Sequence, residues 1–182
     1  MIAMIDVETT GLIAHKCHLL EVACIIVDED YVEQERYHAV VRYSRQDAFD
    51  MRLIASKTVQ KMHDATLLWD RITQDGAKPL SLIDTELANI LSVAGMRPPA
   101  IGGNSVALDQ SFVREHLPES YAELDYHMRD VSTIAAFAQE SYGVPVFEKR
   151  QAHKAMDDIE DCIAELVYYR DTIRDVILLE QR

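Results

Sequence analysis

Residues 2–12 read Ile-Ala-Met-Ile-Asp-Val-Glu-Thr-Thr-Gly-Leu, and the reading of the whole chain starts from them. The apolar run Ile2 to Ile5 predicts a buried strand, with Asp6 and Glu8 at its C-terminal end before a Thr9-Thr10-Gly11 turn. Side chains at i and i+2 of a strand share a face, so the two carboxylates lie side by side. Left unneutralised, such a pair repels and each acid raises the other's pKa; a hard divalent cation bound through oxygen relieves this. The Asp-x-Glu spacing alone is equally compatible with solvated acids at a strand end.

Outward from that stretch, Leu19 to Val27 is β-branched and apolar and predicts a second strand, and Tyr37 to Tyr43 a third. Met51 to Met62 predicts a helix, and Trp69 to Pro79, polar with one Gly and one Pro, a loop. Leu80, Ile83, Leu87, Ile90 and Leu91 recur at helical spacing, and Gly95 stops that helix. After Pro98-Pro99 a short apolar piece enters Gly102-Gly103-Asn104. A helix over Asp109 to His116, ended by Pro118, and a strand over Tyr126 to Val131 follow. Ser132 is placed to cap a helix running to about Tyr142, where Gly143 and Pro145 end it. From about Ala152 to Ile177 the pattern is helical, and residues 143–152 form the expected flexible loop. Three early strands followed by alternating helices and strands imply an α/β layered structure. No repeat or linker divides the chain, and 182 residues suit one domain spanning 1–182.

Composition narrows the function. Apolar residues make up 48% and charged residues 27%, which excludes collagen-like, disordered and disulfide-scaffold classes. No apolar run approaches the roughly 18 residues of a membrane span. The N-terminus has no basic stretch, and the three scattered cysteines, 17, 24 and 162, suggest reduced thiols in a cytoplasmic protein. Eighteen Lys and Arg against 31 Asp and Glu give a net charge of −13, too acidic for a groove that grips long nucleic acid. Nucleic acid handled by such a chain is expected to be short, with bound cations supplying positive charge. His15, Cys17 and His18 crowd one segment without zinc-site spacing, and Asp28-Glu29-Asp30 reads as a solvated turn.

Two further acids matter. Asp109 opens the helix after Gly-Gly-Asn-Ser, where an acid is also an ordinary partner of the helix dipole. On the C-terminal helix Ala155, Ile159, Cys162 and Leu166 make the apolar face. A turn of about 100° per residue puts Asp158 beside that face and groups Asp157 with Asp161 and Glu165 on the solvent side. His153 precedes Asp158 by five residues, in the loop or at the helix start.

The order Asp-x-Glu, Asp, His-x4-Asp resembles the DEDDh class of 3′–5′ exonucleases. Residues 6–12 (DVETTGL), Gly103-Asn104-Ser105 with Asp109, Asp130-Val131-Ser132-Thr133, and residues 153–159 (HKAMDDI) continuing to Ala164-Glu165-Leu166 and Tyr168-Tyr169-Arg170 are similar to the oligoribonucleases over nearly the whole chain. Met62-His63 with Leu68 resembles that family's histidine segment. The resemblance implies an RNase H-like three-layer α/β fold, its mixed central sheet flanked by helices. It implies that Asp6, Glu8, Asp109 and Asp158 hold two divalent cations, Mg²⁺ or Mn²⁺, and that His153 is the general base. It implies that Leu12 wedges between the bases of a short substrate, that His63 lines the site and that Ser105 helps hold phosphate. Tyr126, with Ser132 nearby, would cross a homodimer interface to close the partner's pocket. The implied substrate is short single-stranded RNA, dinucleotides especially; membranes and long duplexes are not expected partners. A general DNA or RNA exonuclease of the same class, of proofreading or trimming type, and a non-catalytic dinucleotide-binding protein are the alternatives. The chain departs from the family pattern where His127, not Arg, follows the tyrosine, with Arg129 two positions on. Thr66-Leu67 replaces a serine-glycine pair, and Thr58 stands where some relatives carry a stacking Trp; Trp69 is out of register with it.

Overall fold

Strand β2 (Leu19–Val27) has all nine residues buried and lies second in a five-stranded sheet of order β3-β2-β1-β4-β5. The computed structural model describes residues 1–95, 97–150 and 154–180. β1 (Ile2–Thr9) pairs antiparallel with β2, and β2 antiparallel with β3 (Glu33–Val40). On its other side β1 pairs in parallel with β4 (Ala100–Gly103), and β4 in parallel with β5 (Asp125–Asp130). The sheet is therefore mixed, as expected. The helices are α1 (Arg45–Ile54), α2 (Lys57–Ala65), α3 (Leu68–Arg71), α4 (Leu80–Ser92), α5 (Ala107–His116), α6 (Pro118–Ala122), α7 (Val131–Tyr142) and α8 (Ala155–Glu180).

The period-2 alternation of β1 feeds two cores. Ala3, Ile5 and Val7 pack with Ile83, Leu87 and Leu91 of α4 and Phe112 and Val113 of α5. Met4 packs on the other face with Val131 of α7 and Ala155, Ile159, Cys162 and Leu166 of α8. Asp6 and Glu8 continue the Met4 face, so alternation alone sends both carboxylates toward α8. Close approach fixes one residue of β4: a Cβ on Gly102 would stand 2.6 Å from Met4 Sδ and 2.7 Å from Ile2 Cγ2. Pairing of β1 with β4 runs only from Ile2 to Met4, so β1 splits from β4 toward its C-terminal end. In open α/β sheets, ligands bind at such a divergence outside the C-terminal ends of the strands.

Several boundaries differ from the sequence reading. β3 starts four residues earlier than Tyr37, because Glu33 to Arg36 are exposed on an edge strand and carry no hydrophobic pattern. The helix expected over 51–62 is two helices, broken where Ser56 Oγ accepts the Val59 N–H at 3.3 Å; Ser44 likewise caps α1. Residues 69–71, expected at the head of a loop, join Leu68 in α3, built around buried Leu68 and Trp69. Pro118 begins α6 as well as ending α5. The cap of α7 is Asp130, whose Oδ1 accepts the Thr133 N–H at 2.9 Å, and Ser132 lies inside the first turn. Among the described residues no helix is long and apolar enough to cross a membrane.

Candidate active site

Asp6, Glu8 and Asp158 each bring a carboxylate oxygen to within 4.8 Å of the others. β1 supplies the first two and the first turn of α8 the third. Asp109, buried in the first turn of α5, stands beside them: its Oδ1 accepts the Val7 N–H at 3.1 Å, a donor that pairing with β4 does not reach. The strand split thus exposes a backbone donor, and that donor holds the fourth acid. Burial, then the Asp109, Glu8 and Asp158 charges, pushes the Asp6 carboxyl well above the usual range. Burial, then Glu21, Asp158 and Asp109, pushes Glu8 up to about 8. Burial pushes Asp109 up to about 7 against the Val7 hydrogen bond, which favours the ionised form. Among the described residues the one basic side chain within 4 Å of the Asp6 or Glu8 carboxylate is His63, its Nδ1 3.8 Å from Glu8 Oε2. Carboxylates gathered this closely at a partly buried site suit hard divalent cations, which bind through oxygen.

His63 is buried at the end of α2, and its Nε2 donates to the Thr9 carbonyl at 2.8 Å. Nδ1, facing Glu8, is then the acceptor of a neutral ring, which burial favours by lowering the His63 pKa. Trp69 meets His63 edge-on from behind, at 5.3 Å between ring centroids. It is buried among Leu20, Met51, Leu68 and Ile72, a core residue and not a stacking platform. Ser105, at φ 50°, donates its N–H to Ser132 Oγ at 3.1 Å, so two candidate binding residues meet across β4–α5 and α7. Leu12 and Tyr126 stand outward, 76% and 82% exposed, and the Tyr126 ring meets that of His127 at 3.9 Å between centroids. His127 is tied to Asp125 through its Nδ1 at 2.5 Å. The general-base candidate His153 lies outside the described residues.

The solvent-side placement of Asp161 and Glu165 is corrected: both are 6% exposed. The chain before α8 folds over that face. Arg150 Nε pairs with Asp161 Oδ1 at 2.6 Å and the Arg150 N–H with Oδ2 at 2.8 Å. Lys149 Nζ pairs with Glu165 Oε2 at 2.6 Å. A helical wheel sees one helix only, and could not anticipate cations brought from 149–150. Asp157 lines a cleft with Glu21, His38, Arg71 and Lys154. Glu21 is a site neighbour that the sequence reading missed. It lies directly opposite Glu8 in register, 2% exposed, and is held by Arg71 Nη2 at 2.7 Å and His38 Nε2 at 2.5 Å. These partners hold its pKa below the usual value despite burial. One acid inside an otherwise apolar nine-residue strand was its signal in the sequence.

Residues 3–166 match the family model described as Exonuclease, the RNase T family. The zinc-bound E. coli exonuclease I–ssDNA complex superposes with a TM-score of 0.72 at 14% identity over 97% of this chain. A second exonuclease I structure gives 0.71 at 15% over 99%. At those identities the likeness shows the fold, which is RNase H-like, and this chain spans about two-fifths of those chains (41% and 43%). The chain belongs to this exonuclease family and is a 3′–5′ exonuclease. Within the family it belongs with the oligoribonucleases. It is 31% identical to the oligoribonuclease of Tropheryma whipplei (strain Twist) over 92% of this chain and 90% of the relative. It is 32% identical to that of Corynebacterium glutamicum (strain R) over 91% and 76%.

Proposed function

We propose that the protein is a metal-dependent exoribonuclease that degrades very short RNAs, dinucleotides especially, to 5′-mononucleotides. The observation that carries this reading is the Asp6–Glu8–Asp158 group, whose carboxylate oxygens gather within 4.8 Å of one another beside the buried Asp109, with Asp6 and Glu8 raised by burial and by neighbouring acids. These four acids would hold two ions, Mg²⁺ or Mn²⁺. When bound, such ions lower the pKa of a water and neutralise the departing 3′-oxygen. His153 takes the proton from the attacking water, so activity rises with pH through its titration. His63 lines the site, Ser105 and Ser132 hold phosphate, and Leu12 separates the two bases. An 82% exposed Tyr126 on the edge strand β5 supports a homodimer in which it closes the partner's pocket. The net charge of −13 supports short over long RNA, since a dinucleotide forgoes little backbone attraction. The enzyme acts as one domain, 1–182, in the cytoplasm.

The test is hydrolysis of an RNA dinucleotide in ¹⁸O-water with Mg²⁺. The reading requires ¹⁸O in the 5′-phosphate of the released mononucleotide. A 3′-phosphate or a 2′,3′-cyclic phosphate would mean that the RNA's own 2′-hydroxyl attacks, and would overturn it.

A further inference from the structure

Beside the acidic cluster lies a cavity of about 200 Å³ walled by Asp6, Asp158, Gly103, Asn104, Lys149 and Cys162. Its one cationic wall residue, among those described, is Lys149. The ammonium is held from behind: Nζ donates to Glu165 Oε2 at 2.6 Å and to Asn104 Oδ1 at 2.7 Å. Asn104 Nδ2 in turn donates to Glu165 Oε2 at 3.0 Å and to Ser132 Oγ at 3.4 Å, and Ser132 Oγ accepts the Ser105 N–H. An ammonium has three N–H donors, so two are spent on fixing its position and one is left for the cavity it lines. Glu165 is 8% exposed at its side chain and Lys149 32%, so the pair is anchored on its acidic side and open on its cationic side.

We propose that Lys149 is a substrate-binding residue, its ammonium donating to a phosphate oxygen of the short RNA seated against the acidic cluster. The proposal rests on the function proposed above and adds a residue to it. Removing Lys149 alone would strand a buried carboxylate, so the variant of choice is K149M/E165Q, which removes both charges at nearly constant shape. The companion variant E165Q keeps the cation and removes its internal counter-charge.

The measurement is binding of a 5′-phosphorylated RNA dinucleotide in Ca²⁺, by calorimetry at fixed ionic strength, with thermal melting to confirm that each variant folds. A lost charge-assisted hydrogen bond predicts a Kd weaker by about tenfold or more in K149M/E165Q. E165Q is expected to bind as tightly as the wild type or a few-fold more tightly, because the ammonium then acts on phosphate unopposed. A structural strap would give the opposite pattern, with both variants weakened alike. That result, or wild-type affinity in the double variant, overturns the proposal. Absence of turnover by the wild type in Mg²⁺ with this binding pattern intact would overturn the catalytic reading and leave the Lys149 contact standing.

Discussion

Filling the acidic cluster with divalent cations should expel protons, and the number can be worked out. Without a cation, Glu8 sits at about 8 and Asp109 at about 7, both raised first by burial. At pH 7 the first is about nine-tenths protonated and the second about half, so ionising both releases roughly 1.4 protons, and Asp6, also raised, adds to that. The same shifts act on stability. A carboxyl whose folded pKa lies above its unfolded value makes the native state bind the extra proton between the two. For Glu8 that window runs from 4.5 to about 8, so the metal-free protein loses stability as pH rises through it, by an amount on the order of 5 kcal/mol. Cation binding should offset that loss, and thermal stabilisation by Mn²⁺ should therefore be larger at pH 8 than at pH 5. Calorimetric titration with Mn²⁺ at pH 7, in two buffers of contrasting ionisation enthalpy, counts the protons; the share from Glu8 and Asp109 should fall as pH rises past 8 and these carboxyls ionise on their own. Equal heats in the two buffers at pH 7 would refute the reasoning, because the acids would then be ionised before the metal arrives.

Other expectations follow from single contacts. Asp84 is buried and accepts the N–H groups of Glu119 and Ser120 at the start of α6, at 3.0 and 2.8 Å, together with the Ser120 hydroxyl; Asp84→Ala should cost roughly 2–4 kcal/mol in urea unfolding and leave kcat unchanged. Leu67 sits at φ 57°, in the left-handed region, and is 62% exposed; Leu67→Gly should raise stability by about 0.5–1 kcal/mol, seen as a higher urea midpoint. Gly102→Ala would press a methyl into Met4 and Ile2 and should lose about 1–3 kcal/mol by the same assay. Asp158→Ala should abolish Mn²⁺ binding measured by calorimetry, whereas Asp157→Ala, altering the neighbouring cleft, should keep its stoichiometry.

The legible parts of the fold were those where one local pattern settles the outcome. Leu19–Val27 is apolar but for Glu21 and forms a strand with those bounds. Alternation in β1 places Asp6 and Glu8 on one face, and wheel geometry brings Asp158 to the same group. What stayed hidden depends on elements meeting across the chain. Asp161 and Glu165 look like surface acids until Arg150 and Lys149 fold over them. Glu21 looks misplaced until Arg71 and His38 arrive from α3 and β3. The early start of β3 is invisible because backbone pairing with β2, and not side-chain burial, holds Glu33 to Arg36 in the sheet. Leu67 is instructive in a different way. It sits in a left-handed turn of the kind that favours glycine, which its apolar side chain does not signal in the sequence.

The most direct test of the central claim compares turnover of a 5′-labelled RNA dinucleotide, a labelled RNA 20-mer and a DNA dinucleotide, with and without Mn²⁺. The account predicts rapid, metal-dependent loss of the RNA dinucleotide while the 20-mer is barely touched. Steady shortening of the 20-mer, or equal use of the DNA dinucleotide, would contradict it and point to a general exonuclease.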